Sequence, residues 1–295
     1  MNKRQKKEMF IKNIFLTLGM TSIAILFLIM LFLFKEGLPI LKFVSLKEFL
    51  FGRHWYPTFD PPDFGIYPLI VASFSVSILA VFIAVPLGVL SAVYISEIAS
   101  HRLKEILKPA IELLAAMPSV VIGFFGMVVF APFVQNLFGL STGLNLINAS
   151  LMLALMAVPT ICSISEDAIN AVPRELKEAS LALGATQCET IFKVVIPASI
   201  SGISTAVILG MARALGETMV VLMVAGGAAA IPKSIFSPVR PMTANIAAEM
   251  GEAPVGGSHY FALFAIGIVL FLTTAIFNLT AEYVANKNKL TKGVS

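Results

Sequence analysis

Long apolar runs without charge alternate along the chain with short segments that hold nearly all of its charged residues. Residues 13–34 are the first such run, and about 20 apolar residues suffice to cross a bilayer core as a helix. A signal-peptide core spans only about 7–15 residues. This run is longer and ends in Phe34-Lys35-Glu36, so a retained anchor helix is expected after a tail at 1–12. A second span is expected from about Pro68 to Tyr94, kinked at Pro86. Leu113 to Ser165 is uncharged and too long for one helix, and a polar break from Gln135-Asn136 through Gly139, Ser141, Gly143 and Asn145 splits it into spans three and four. Pro197 opens a fifth span, as Pro suits a first helical turn. Tyr260 to Ala281 is the sixth.

Composition agrees with this pattern. Hydrophobic residues make up 58% of the 295 and charged residues 13%, against about 25% charged in soluble domains; mean hydropathy is +0.90. The expected fold is all-α, a polytopic membrane protein with six transmembrane helices, since barrel strands alternate in polarity. The net charge of +4 reads as a topology signal rather than a nucleic-acid footprint. Fourteen Lys and Arg fall in the N-terminal tail, the loops around 97–108 and 166–197 and the tail at 286–295, and six in the intervening loops. That bias places both termini in the cytoplasm.

The outer loops carry patterns of their own. Residues 35–63 hold Trp55, Tyr56, Pro57, Pro61 and Pro62, which suit an interfacial aromatic belt or a docking surface equally. Thr243 to Met250 has a helical pattern, compatible with a re-entrant gate helix or a solvated loop. Glu112 is expected in the first turn of span three, and Asn245, Glu249 and Glu252 as solvated groups. Cys162 and Cys188 give no disulfide framework, and His54, His101 and His259 are too scattered to suggest a metal site. No cofactor is expected.

The cytoplasmic segment 173–197 is more specific. Pro173 precedes Arg174 to Leu183 and Gly184 follows, the punctuation of a short helix. Leu176, Ala179 and Leu183 form a small apolar face. A second short helix is expected, with Thr186 and Glu189 spaced as a capping box and Ile191, Phe192 and Val195 turned inward. Acidic and basic residues balance here, which suits a protein socket better than an anionic membrane.

Glu178-Ala179-Ser180, then Gly184, then Val194-Val195-Ile196-Pro197, resembles the EAA loop of bacterial ABC importer permeases. The departures, Ser180 for Ala, Val194 for Ile and Ile196 for Leu, are conservative. The resemblance implies the type I permease architecture, with a permease core at 64–285 in the bacterial inner membrane and a coupling loop seated in a separate ATPase subunit; Glu178, Ala179, Ser180, Gly184 and Pro197 are the coupling residues. The chain has no GxxxxGK[ST] of its own. Phe64 to Pro68, Pro86-Leu87-Gly88, Tyr94 to Glu97, Glu112 to Val121 with Gly123-Phe124, and Arg213 to Met219 further resemble the PstC-type phosphate permeases. That implies phosphate as substrate, a homologous PstA-type permease beside it, an ATPase dimer and an external phosphate-binding protein.

Arg213 and Glu217 are the only charges between Val194 and Ile231, and a charge at mid-membrane costs about 2.5–3.5 kcal/mol on insertion scales. Their i, i+4 spacing is expected to stack them on one helix face, paired when no anion is present. Arg213, in the middle to outer part of the bilayer, is expected to carry the phosphate dianion; Glu217 would compete with it and permit release. The rival readings are a permease for molybdate, sulfate or phosphonate, and, from another class, a membrane-embedded enzyme or a receptor without transport.

Overall fold

The computed structural model describes residues 3–290. Six helical segments are long and apolar enough to cross a membrane, as the sequence pattern leads one to expect. The first, α1 (Lys3–Gly37), exposes its flanks along residues 11–32. It rests on the last helix through Gly37, where a Cβ would lie 2.6 Å from Ile268, and through the edge-on rings of Phe32 and Phe264.

A 3-10 turn, Leu38–Lys42, leads to α2 (Leu46–Phe51), capped by the Ser45 hydroxyl. A two-stranded hairpin follows, β1 (Trp55–Tyr56) antiparallel to β2 (Asp63–Phe64) with Trp55 opposite Phe64. The outer loop is therefore a folded cap, with Ile40, Phe49, Trp55 and Phe64 buried against Leu263 and Ile266 of the last span. At Gly52 and Gly65 the two backbones meet so closely that a Cβ on either would lie within 2.7 Å of the other.

The second span is α3 (Tyr67–Val93), with Pro86 inside it, prolonged by a π turn at Tyr94–Ile98. The chain then forms α4 (His101–Ala115), where a loop and the start of span three were expected. Leu103, Leu107, Ile111 and Leu114 recur at helical spacing, and that period is the signal from which α4 was legible. Glu112 consequently lies in the last turns of α4 rather than the first turn of span three. The helix breaks at Ala116–Pro118, because the residue before a proline is turned away from helical geometry. It resumes as α5 (Ser119–Phe125), a π turn and α6 (Ala131–Phe138).

The fourth span, α7 (Leu146–Asn170), is the most enclosed, with 61% of its apolar window buried. At one end Lys108 of α4 meets Glu166, and at the other Asn148 Nδ2 donates to the Gly126 carbonyl. So α4 and α5 run as one broken rod antiparallel to α7.

The coupling segment folds as expected. α8 (Arg174–Ala182) follows Pro173, and Gly184 adopts φ +86°, a left-handed conformation that disfavours residues with a Cβ. In α9 (Gln187–Thr190) Thr186 and Glu189 form the capping box with both reciprocal bonds present. A π turn at Ile191–Val195 carries α9 straight into α10 (Ile196–Gly216), so span five begins before Pro197. Ile191 and Val195 are buried, but Phe192 is exposed, against expectation. The π turn rotates successive side chains and leaves Phe192 on the outer face.

After α10 come α11 (Met219–Val224), α12 (Met242–Glu249) and the sixth span, α13 (Ser258–Leu290). The helical pattern at 243–250 is thus a real short helix.

Candidate functional site

α10 ends at Gly216, and Glu217 is extended, with φ −71° and ψ 133°. The expected i, i+4 stack of Arg213 and Glu217 therefore does not form. Stacking needs an unbroken helix through both residues, and here the helix stops between them. The Glu217 carboxylate instead accepts from the Val220 backbone N–H at 3.4 Å, at the start of α11. Among the described residues no ion pair joins Glu217 to Arg213.

Arg213 points elsewhere. Its Nη1 lies 3.5 Å from Thr160 Oγ1 on span four, and the side chain is exposed on the surface of this chain. Thr160 falls near the middle of α7, one residue after Pro159. Arg213 is therefore level with the middle of span four, and beyond it the apolar chain continues for about another turn and a half in α11.

Irregular backbone clusters at this depth. The chain breaks between α4 and span three at Ala116–Pro118 and after α10 at Glu217–Thr218, and Met117 packs against the same buried cluster as Ala214 and Val220. Non-helical backbone is tolerated within a membrane only where protein buries it or water reaches it. Half-helices meeting near the midplane are a recurrent way of building a substrate site. An exposed guanidinium beside them could not face lipid without a large cost.

The break is tied to the outer side. Thr243 Oγ1 of α12 donates to the Glu217 carbonyl at 2.8 Å, and the Met242 N–H donates to Ser73 Oγ of span two at 2.8 Å. Sequence reasoning missed the outer cluster that anchors α12. Glu249, expected to be solvated, has a side chain 16% exposed. It accepts from Arg240 Nη1 at 2.6 Å and from Trp55 Nε1 at 2.9 Å, and lies 2.9 Å from His259 Nε2. Arg240 also donates to the Gly227 carbonyl and to Asn245 Oδ1, and Asn245 is fully buried. Trp55 lies 194 residues from Glu249 in sequence, and no local pattern signals such a pair.

At the opposite end, the residues expected to couple to an ATPase mostly face out. Glu178, Ala179, Gly184 and Pro197 are exposed, while Ser180 is half-buried and its hydroxyl meets that of Thr190 at 2.9 Å. Leu176 and Leu183, 47% and 90% exposed, form an apolar tip that nothing among the described residues covers.

The comparisons with known proteins point one way. A chain of a bacterial alginate ABC transporter, solved in complex with an alginate pentasaccharide-bound periplasmic protein, superposes with a TM-score of 0.68 over 97% of this chain and 96% of that one, at 14% identity. A chain of the inward-facing methionine ABC transporter MetNI gives 0.57 over 76% and 94%, at 20% identity; at such identities the likeness is one of fold. The probable ABC transporter permease protein YqgH of Bacillus subtilis is 39% identical over 97% of this chain and 94% of its own length. The phosphate transport system permease protein PstC of Haemophilus influenzae is 34% identical over 92% of each. Residues 84–289 match the family described as binding-protein-dependent transport system inner membrane component, and with six spans, an exposed coupling loop and relatives along nearly its whole length, the chain belongs to that family.

Proposed function

We propose that this multi-pass inner-membrane protein is the PstC-type permease subunit of an ATP-driven importer of inorganic phosphate. It would pair with a homologous PstA-type permease, two copies of a separate ATPase subunit and an external phosphate-binding protein. The relatives that carry the PstC name support the substrate class. The observation that carries the mechanism is Arg213, an exposed guanidinium level with the middle of span four, beside a broken helix and a hydroxyl.

Orthophosphate near neutral pH is a mono- or dianion with several acceptor oxygens. A guanidinium offers it a planar two-pronged donor that keeps its charge. In a passage of low dielectric that fixed cation offsets much of the cost of moving the anion, since the interaction of unit charges grows as the effective dielectric falls. Glu217, on the extended residue after the break, supplies a negative field near the same passage and favours release, which conduction needs as much as binding. Its backbone bond to Thr243 joins the break to α12, so a shift of α12 would move Glu217 relative to Arg213. The exposed loop carrying Glu178, Ala179, Ser180 and Gly184, with Pro197 at its end, would seat in the ATPase groove. No bond chemistry falls to this chain in that scheme; hydrolysis takes place in the partner.

The test is uptake of labelled phosphate by vesicles that contain the assembled transporter. Arg213→Gln is expected to lower uptake at least tenfold with an unchanged yield of complex. Arg213→Lys should recover only part, because it restores charge without the planar fork. Wild-type uptake by Arg213→Gln in an intact complex overturns the site. Uptake by the wild type of molybdate, sulfate or phosphonate in preference to phosphate overturns the substrate.

A further inference from the structure

Span two ends in an arrangement that neither the substrate path nor the ATPase seat explains. The last carbonyls of a helix lack partners within it, and at the inner end of span two the two final turns draw theirs from outside. Gln187 Nε2, on α9, donates to the Glu97 carbonyl at 3.1 Å, and Lys104 Nζ donates to the Ser96 carbonyl at 2.7 Å. Lys177 Nζ, on α8, closes an ion pair with the Glu97 carboxylate, their side chains only 23% and 13% exposed. Both short helices of the coupling loop therefore clasp one residue, far from either in sequence.

The clasp continues inward. Ser96 Oγ donates to Asn170 Oδ1 at 2.6 Å, Asn170 Nδ2 donates to Glu166 Oε1 at 3.3 Å, and Lys108 Nζ reaches the same oxygen at 3.3 Å. At the other end of span two, Ser73 Oγ accepts the Met242 N–H of α12. Glu97 and Ser73 are about 36 Å apart along a helix that rises 1.5 Å per residue. One rod thus touches the coupling loop at its inner end and α12 at its outer end.

We propose that Glu97 is a transmission residue. Its bonds to Lys177 and Gln187 make the coupling helices and the inner end of span two move as one body, so that a displacement of α8 reaches α12 through span two. The covalent route through spans four and five is not the only one. A shielded ion pair suits this task better than a solvated one, because a solvated pair is weakened by water and salt and yields under load. This inference rests on the ATPase contact proposed above.

The experiment uses the complete transporter in proteoliposomes, with the binding protein added. Glu97→Gln removes the charge and leaves the exposed coupling face untouched. The ATPase should co-purify as in the wild type, while uptake per ATP hydrolysed, and stimulation of hydrolysis by the binding protein, fall at least fivefold. The exchange Glu97→Lys with Lys177→Glu should restore both to within twofold of the wild type, as should no single exchange. Spin labels at exposed Tyr94 and Leu181 should keep a constant separation through the ATP cycle in the wild type and lose it in Glu97→Gln. If Glu97→Gln lowers the yield of the folded permease itself, Lys177→Gln serves as the second variant with the same expected loss. Unchanged coupling in either variant, failure of the double exchange to rescue, or a label distance that changes in the wild type overturns the inference. Loss of ATPase co-purification from Glu97→Gln overturns it too, since Glu97 would then support the seat itself. Stimulation of hydrolysis by the binding protein does not depend on which anion is carried, so a failure of the phosphate reading remains distinguishable.

Discussion

The two ends of the molecule solve opposite problems with the same kinds of residue. At the outer end, Arg240, Glu249 and His259 are joined by Trp55, 194 residues from Glu249 in sequence, and the aromatic hairpin packs on span six. At the inner end, α8 keeps its polar punctuation local and presents Leu176, Leu183 and Glu178 outward. The outer cluster is closed upon itself; the inner one leaves its apolar side chains exposed. The difference shows which polar cluster this chain completes by itself and which surface it leaves open.

The comparison breaks most visibly at Glu249. Glu249→Ala leaves the Arg240 guanidinium and the Trp55 N–H largely enclosed without their common acceptor. Removing one member of a buried ionic cluster costs about 3–5 kcal/mol. The expected readout is a lower unfolding midpoint together with protease cleavage in the hairpin around Pro57. A midpoint equal to that of the wild type would make the cluster a surface feature.

A smaller effect is expected from Trp55→Phe, which keeps the ring packing against Phe64 and loses the bond to Glu249. A single hydrogen bond to a charged group contributes about 1.5–3 kcal/mol. Denaturant titration of the two proteins side by side measures the difference, and a loss as large as that of Glu249→Ala would place the whole cluster's strength in this bond.

The smallest effect on stability belongs to Leu183→Asn at the inner end. The side chain is 90% exposed, and surface changes away from special features usually stay within about 0.5 kcal/mol. Folding should be unchanged while ATPase co-purification falls several-fold, the reverse of the outer variants. Normal co-purification would remove the apolar tip from the proposed seat.

Much of this was legible because bilayer and helix impose local rules. Six uncharged runs announce six spans because no water in the hydrocarbon can satisfy an open backbone. Pro173, Gly184 and the Thr186–Glu189 box announce the coupling helices because capping acts within a few residues. Even α4 was written in the period of Leu103, Leu107, Ile111 and Leu114, although the charges between them made the segment look like a loop.

Other features were settled only in three dimensions. The run around Arg213 and Glu217 is apolar enough to read as one span, and the structure divides it at Gly216 into α10 and α11, the latter beside α5, which separates Glu217 from Arg213. The choice of Thr160 as the neighbour of Arg213, of Glu97 as the residue clasped by Lys177, and of Glu249 as the acceptor for Trp55 spans 53, 80 and 194 residues of chain. The sequence by itself determined where the chain enters and leaves the membrane and where the two short helices of 173–197 begin and end, since desolvation and capping are decided residue by residue. Which charged groups meet was left to the tertiary structure, because a long-range pair forms only once packing has brought its helices together.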